Sequence, residues 1–410
     1  MNFSNIKSKE NIEDLLLYCR DKRYEKIVKE IVKIGPTFIK STLIKNDFQK
    51  PIVDPYFLYL SMLPMDIITL DSILCFEIDN NRLLLKLYSN NNDNETGIKY
   101  NFDLLNKMGI KLYKLNSLPN KLNYISYDIK KKINKLRLIK DDWEFLQIYD
   151  CLFKTNHIFK KMTKYVENNK NINERNLESL YYKYLIRGNY RIPYLPIIGS
   201  GKNASYIHYI NNNDKIDNSS VILMDCGVRN IYGYNSDITC TIINNSSIFQ
   251  KKIYNIVKKA HDSCVDLISN YLQNKKKVSF NELQDKSINI FIQEFGKFEE
   301  DDRYLEWSKG IHSCKNNLNN QANIFIKKFY THFIGHNIGL DTHDPNHDYY
   351  LTERCIFTIE PGLYFNKESL AFEIPNEFYE LGGIRIEDMY TILENSGELN
   401  LIKLSKFIQK

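Results

Sequence analysis

THFIGHNIGLDTHD, residues 331–344, holds three of the chain's eight histidines, His332, His336 and His343. His332 and His336 stand four apart, a spacing that on a helix would put both imidazoles on one face. Gly335, Gly339 and the run GLDTHD argue instead for a strand-and-turn path, which spreads the three rings around a cavity. One histidine would then ligate a metal while the other two shuttle protons or touch substrate. Taken alone, the stretch reads equally well as a His-rich surface loop. Its neighbours decide.

Upstream, residues 221–241 read VILMDCGVRNIYGYNSDITCT. An apolar strand over 221–224 delivers Asp225, a Gly- and Tyr-containing turn follows, and SDIT brings in Asp237. Downstream, Glu360 follows the apolar Ile356, Phe357 and Ile359 and precedes a Pro-Gly turn. GGIRIEDMYTI (382–392) sets Glu387 in a strand whose alternate residues are Ile384, Ile386 and Asp388. One acidic residue at a strand end is ordinarily just solvated. Four of them, each after a β-rich apolar run, with a histidine in a Gly-rich turn, make a ligand set. Carboxylates in excess suit two divalent ions sharing bridging oxygens, with manganese, cobalt or zinc as candidates. No cysteine pair has ligand spacing, so softer metals are disfavoured.

The order Asp, Asp, His, Glu, Glu, with SDIT, HxxGHxxGLDxH, TIEPGLY and GIRIED, resembles the pita-bread metallopeptidases, most closely their aminopeptidase P and prolidase branch. The likeness runs over residues 198–392 and continues more weakly through the N-terminal part. It implies an α/β (α+β) protein: an N-terminal creatinase/aminopeptidase P-like α/β domain, then a C-terminal pita-bread catalytic domain in which two similar α–β halves pair around a curved antiparallel sheet. The resemblance assigns Asp225 to one metal, Asp237 and Glu387 as bridges, and His336 and Glu360 to the second metal. Two ions of this kind clamp a hydroxide, activate it and hold the tetrahedral oxyanion. Glu360 would also carry a proton to the leaving nitrogen, and His332 and His343 would stabilise the transition state. His208, Tyr364 and Arg385 are implied as pocket-wall and substrate-binding residues. Asp225 and Asp237 are one position further apart than is usual in that family, and the added residue is expected in the 229–235 turn, where a bulge is harmless.

The implied function is an Xaa-Pro aminopeptidase, with manganese the leading metal, peptide substrates carrying proline second, and a homodimer as the assembly. A prolidase-type dipeptidase is the nearest rival, although PNEFYELGGIRIED resembles aminopeptidase P more. A catalytically inactive pita-bread binding protein is a third reading; such proteins lose ligands, and all five are here. The large N-terminal part argues against a methionine aminopeptidase.

The rest of the 410-residue chain fits two domains, 1–138 and 139–410. No apolar run reaches the roughly 18 residues that cross a bilayer, and residues 1–19 resemble neither a signal nor a transit peptide. Eight scattered cysteines read as reduced and mostly buried, as in a cytoplasmic protein. The net charge of +6 is mild and its lysines are spread, giving no case for nucleic acid. In the N-terminal part, helices are expected over 11–19 and 23–34, strands over 70–78 and 82–88 joined at Asp79-Asn80-Asn81, and a polar loop over 89–97. The first domain would be structural, narrowing the active-site mouth or mediating dimerisation.

Asp141 with Glu144, and Ser279 with Glu282, have capping-box spacing and open two helices; a third runs over 173–186 to Gly188. Ile253, Ile256, Val257, Ala260, Cys264, Leu267, Ile268 and Tyr271 form a core stripe, with His261 a bystander. GSGKNA (199–204) mimics a dinucleotide fingerprint, with Asp225 a little over twenty residues on. The following SYIHYI alternates like a strand, leaving no room for the required helix.

Overall fold

Asn80 and Asn81 both adopt left-handed backbone, φ 46° and 59°, and so turn strand β2 (Ile73–Asp79) back onto β3 (Arg82–Ser89). The computed structural model that shows this describes residues 9–31, 36–40, 53–69, 72–89, 100–119, 123–243, 246–300, 320–345, 350–370 and 372–405. Residues 90–97 of the expected polar loop, and the ends of the expected 23–34 helix and 70–78 strand, lie outside them. One continuous helix, α1 (Lys9–Glu30), stands where two were expected, because no cap or breaker interrupts 20–22.

The chain folds as two compact units. The first comprises Met1–Asp150 with Arg229–Asn235 and Gly339–His347. Its sheet has the order β4 (Ile110–Lys114), β3, β2, β1 (Thr37–Lys40), β5 (Asn123–Tyr124). The β3–β4 and β1–β5 pairs are parallel and the rest antiparallel. Helices α2 (Pro55–Ser61), α3 (Phe102–Lys107) and α4 (Tyr127–Leu138) complete this unit, and Asp54 caps α2 through the N–H groups of Tyr56 and Phe57. The short 229–235 excursion is anchored by Met65 N–H donating to the Ile231 carbonyl (2.6 Å) and by Trp143 meeting Tyr232 edge-on. Gly233 takes φ +86° there, and a Cβ would stand 2.5 Å from Leu58.

The second unit comprises Cys151–Val228, Ser236–Ile338 and Asp348–Lys410. The Asp141–Glu144 box forms reciprocally, 3.1 and 2.9 Å, and opens α5 (Asp142–Asn168). Asn173 caps α6 (Glu174–Arg187). Strands β6 (Ile197–Ser200), β7 (Ile222–Asp225) and β10 (Thr239–Ile242) form an antiparallel sheet in the order β10-β7-β6, with two-residue strands β8 (Val228–Arg229) and β9 (Asn235–Ser236) between β7 and β10 in sequence. Helices α7 (Ile248–Gln273) and α8 (Phe280–Gly296) follow, both opened by capping boxes. The expected stripe is the buried face of α7, except that Leu267 and Tyr271 are half-buried.

A second antiparallel sheet takes β11 (Ile356–Ile359), β14 (Asp388–Asn395) and β15 (Glu398–Lys403), and β12 (Gly362–Tyr364) pairs with β13 (Gly383–Arg385). The two halves are stitched together: the Glu387 N–H donates to the Thr239 carbonyl (3.1 Å), and Thr241 Oγ1 donates to the Arg385 carbonyl (2.7 Å). The strand expected over 205–210 is absent; a 3-10 turn over Gly201–Ser205 leads into a coil. No dinucleotide-type helix follows β6. Among the described residues no helix is long and apolar enough to cross a membrane.

Candidate active site

Asp225 ends β7 with both backbone edges tied, opposite Thr239 of β10 and Ile197 of β6. Asp237 arrives two residues before β10, after the 229–235 turn. Both carboxylates reach one phenol: Tyr194 Oη is 2.7 Å from Asp225 Oδ1 and also bonds Asp237 Oδ1. The added residue between the two aspartates is therefore absorbed without turning Asp237 away from Asp225.

The middle of the His-rich stretch runs as coil alongside β11, with a single bridge from Asn337 to Phe357. Glu360 N–H donates to the Ile334 carbonyl (2.8 Å), Thr358 N–H to that of His336 (2.9 Å), and Ile338 N–H to that of Ile356 (3.0 Å). A Cβ at Gly335 would sit 2.1 Å from the Thr358 carbonyl oxygen, so only glycine permits this approach. His336 Nδ1 lies 3.0 Å from the Asn337 carbonyl, which fixes the ring and turns Nε2 toward Asp237 Oδ2 (3.5 Å) and Glu360 Oε1 (3.4 Å).

Glu387 falls in the break between β13 and β14, not inside one strand, and accepts from Thr239 Oγ1 (2.9 Å). One donor atom each from Asp237, His336 and Glu387 lie within 4.8 Å of one another. Arg385 binds Asp225 Oδ2 (2.5 Å) and donates to Tyr364 Oη (2.7 Å) and Thr239 Oγ1 (3.0 Å). Tyr364 Oη is 2.7 Å from His332 Nε2, whose ring is fixed at Nδ1 by the Phe333 carbonyl (2.8 Å). A continuous chain thus runs Asp225, Arg385, Tyr364, His332.

The electrostatics mark this cluster as short of positive charge. Burial raises the Glu360 carboxyl to about 7; His336 opposes that rise and Asp237 adds to it. Burial, then Asp237 and Glu360, hold the Glu387 carboxyl well above the ordinary range. Asp225 is raised by burial against the pull of Arg385. Burial alone would lower His336, but Asp237 and Glu360 carry it to about 9. Burial and Arg385 push His332 down to about 3, so it is neutral. Four carboxylates face one guanidinium and one imidazole. That donor set fits divalent cations, which would replace the proton the carboxylates hold on His336.

Two of the expected site residues are exposed, and the charge of one, His208, adds to the lowering of His332. His208 is exposed, in the coil after the 3-10 turn. His343 is exposed and belongs to the first unit. Tyr194 and Thr239 were not anticipated: each is one hydroxyl among many, and only the β6-β7-β10 pairing brings them to the carboxylates.

The family model of metallopeptidase family M24 matches residues 150–394. The chain belongs to this family. Its M24 region contains every residue of the carboxylate cluster. The chain is 30% identical over 333 residues to intermediate cleaving peptidase 55 of Saccharomyces cerevisiae, covering 77% of this chain and 57% of that protein. It is 26% identical over 315 residues to a probable Xaa-Pro aminopeptidase of Aspergillus terreus, covering 66% and 59%. These alignments span less than two thirds of the relatives' lengths. In fold it is similar to proline aminopeptidase P II from Yersinia pestis, with a TM-score of 0.75 at 18% identity over 96% of this chain and 97% of that one. The M24 pita-bread architecture expected from the motifs is present, with divalent metal ions the family's cofactor class.

Proposed function

We propose that this chain is a dinuclear-metal exopeptidase that removes the N-terminal residue from peptides with proline in second position. The observation that carries the reading is the meeting of Asp225, Asp237, His336, Glu360 and Glu387 in one buried cluster short of positive charge, within an M24 domain. Those five residues would hold two ions, manganese in preference to cobalt or zinc because oxygen donors dominate. When bound, the ions supply Lewis-acid polarisation of the scissile carbonyl and a hydroxide at neutral pH.

The remaining work falls to side chains. Glu360 takes a proton from the attacking water and passes it to the departing nitrogen; Thr358 Oγ1, 3.3 Å from Oε1, steadies one of its oxygens. Arg385 opposes the rise of the Asp225 carboxyl and keeps Tyr364 aimed at His332. His332, neutral, exchanges one of its present partners for the substrate as charge develops, and His343 assists. His208 and Tyr364 supply substrate contacts. A homodimer in the cytoplasm is the proposed state, and the thiol character of the described cysteines supports a reducing compartment.

The yeast relative's name, intermediate cleaving peptidase, favours a longer polypeptide over a dipeptide substrate. An Xaa-Pro dipeptide and an Xaa-Pro-Yaa tripeptide, assayed after chelation and again with added manganese, test the reading. The tripeptide should be cleaved only when metal is restored. Cleavage of the dipeptide alone would select the prolidase-type reading, and full activity in metal-free protein would remove the two-metal mechanism.

A further inference from the structure

Glu174, the first residue of α6, is fully buried and takes no part in the chemistry above. Its Oε1 accepts from Ser200 N–H (2.7 Å), Ser200 Oγ (3.1 Å) and Asn203 Nδ2 (3.0 Å). Its Oε2 accepts from Tyr209 Oη (2.9 Å) and Asp214 N–H (3.0 Å). The backbone repeats the tie, with Glu174 N–H donating to the Asp214 carbonyl (2.9 Å). A buried carboxylate is costly unless its lone pairs are filled. Here neutral donors fill them, and all of them come from the single segment 200–214.

The other face of that segment lies on the site. Ala204 packs with Tyr364, Ile197 and Leu223 in one buried cluster, and Ile207 and Tyr209 pack against it. A Cβ at Gly383 would stand 2.2 Å from the Ala204 carbonyl oxygen, and one at Gly382 1.8 Å from that of Gly201. The segment therefore presses on the start of β13, the strand that carries Arg385, and on the tyrosine that holds His332. It also carries His208.

We infer that Glu174 is a positioning residue for substrate specificity: it clamps the 200–210 loop as the wall against which a peptide beside Tyr364 is held. The inference rests on the proposed peptidase reading. In Glu174→Gln the amide meets the same donors with only one acceptor oxygen, so the loop loosens while the metal cluster keeps its ligands.

The test is made on the manganese-loaded full chain. KM for an Xaa-Pro-Yaa peptide should rise roughly tenfold in Glu174→Gln, with kcat per bound metal within about twofold of wild type, the pattern of lost ground-state and transition-state binding alike. Tyr209→Phe removes one donor and should raise KM by roughly two- to threefold in the same pattern. A role in packing alone would lower stability and leave KM unmoved, and that result, or loss of bound metal, overturns the inference. Where Glu174→Gln does not fold, Tyr209→Phe and Asn203→Ala decide, and unchanged KM in both overturns it. Should the wild type cleave no Xaa-Pro peptide, the peptidase reading fails separately. Amide exchange then judges the clamp in Tyr209→Phe: faster exchange confined to 200–214 supports it, and unchanged exchange there overturns it.

Discussion

Arg137, Lys140 and Asp344 in the first unit are as deeply buried as Asp225 and Glu387 in the second, yet their carboxylates respond in opposite ways. Asp344 meets Arg137 Nη2 at 2.6 Å and Lys140 Nζ at 2.9 Å, and Arg137 also holds Asp341 at 2.6 Å. Two cations answer two anions. Burial would raise the Asp344 carboxyl, but Arg137 and Lys140 overcome it and hold the group below its ordinary range. In the second unit burial and mutual repulsion win, and Glu360 and Glu387 rise. A buried carboxylate that the protein itself neutralises is a structural element. One left in excess is shaped for a cation from outside the chain.

The largest effect should follow from Glu360→Gln. It keeps one coordinating oxygen, so excess manganese can restore occupancy, but the titratable proton is gone. Turnover of an Xaa-Pro-Yaa peptide should stay roughly 10²–10⁴-fold below wild type at saturating metal. Recovery to near wild type would leave Glu360 as a ligand only and move the proton to His332 or His343.

Next in size is Asp344→Ala, which strands Arg137 and Lys140 without their shared partner. Denaturant unfolding should show a loss of about 3–5 kcal/mol, with or without manganese. A loss seen only in the metal-loaded protein would mean that the two clusters are not independent.

The pH dependence should also divide them. Glu360 near 7 sits above the 4.5 of an exposed glutamate, so its contribution to the metal-free fold is complete below 4.5 and is lost as pH rises through 7. Asp344 lies below 3.8, so its contribution is present above that value and is lost as pH falls. Chelated protein should therefore lose on the order of 1–3 kcal/mol between pH 5 and 8, and Glu360→Gln should flatten that slope. A chelated wild type equally stable across this range would contradict the charge imbalance.

The smallest effect has the opposite sign. Glu387→Gln in the metal-free protein removes repulsion and should stabilise it by about 1 kcal/mol, while abolishing the extra stability that manganese confers on wild type. Destabilisation in both states would place Glu387 with Asp344.

The two clusters were not equally legible in the sequence. Asp225, Glu360 and Glu387 each stand at the end or break of an apolar strand, and Asp237 and His336 stand in the short motifs SDIT and HxxGH, all local patterns that the fold brings together. The helix starts at Asp141, Asn173 and Ser279 were equally local, because each box is closed within four residues. Arg137 and Asp344 are 207 positions apart, and no periodicity links them. The alternation over 205–210 imitates a strand; Glu174 gathers polar groups from 200–214 to one point, and the segment runs as a 3-10 turn and coil instead. His343 lies in the same motif as His336 but folds into the other unit, so adjacency in sequence did not settle its surroundings.

The seven described cysteines are buried thiols, and burial raises Cys19 and Cys75 to about 11 and Cys264 to about 12. An alkylating reagent needs both access and thiolate, so each thiol reacts only when its surroundings open. Cys19 and Cys75 keep time for the first unit and Cys264 and Cys355 for the second. The unlabelled chain thus carries its own clocks, able to show which unit breathes first and whether manganese slows only the one that holds the carboxylates.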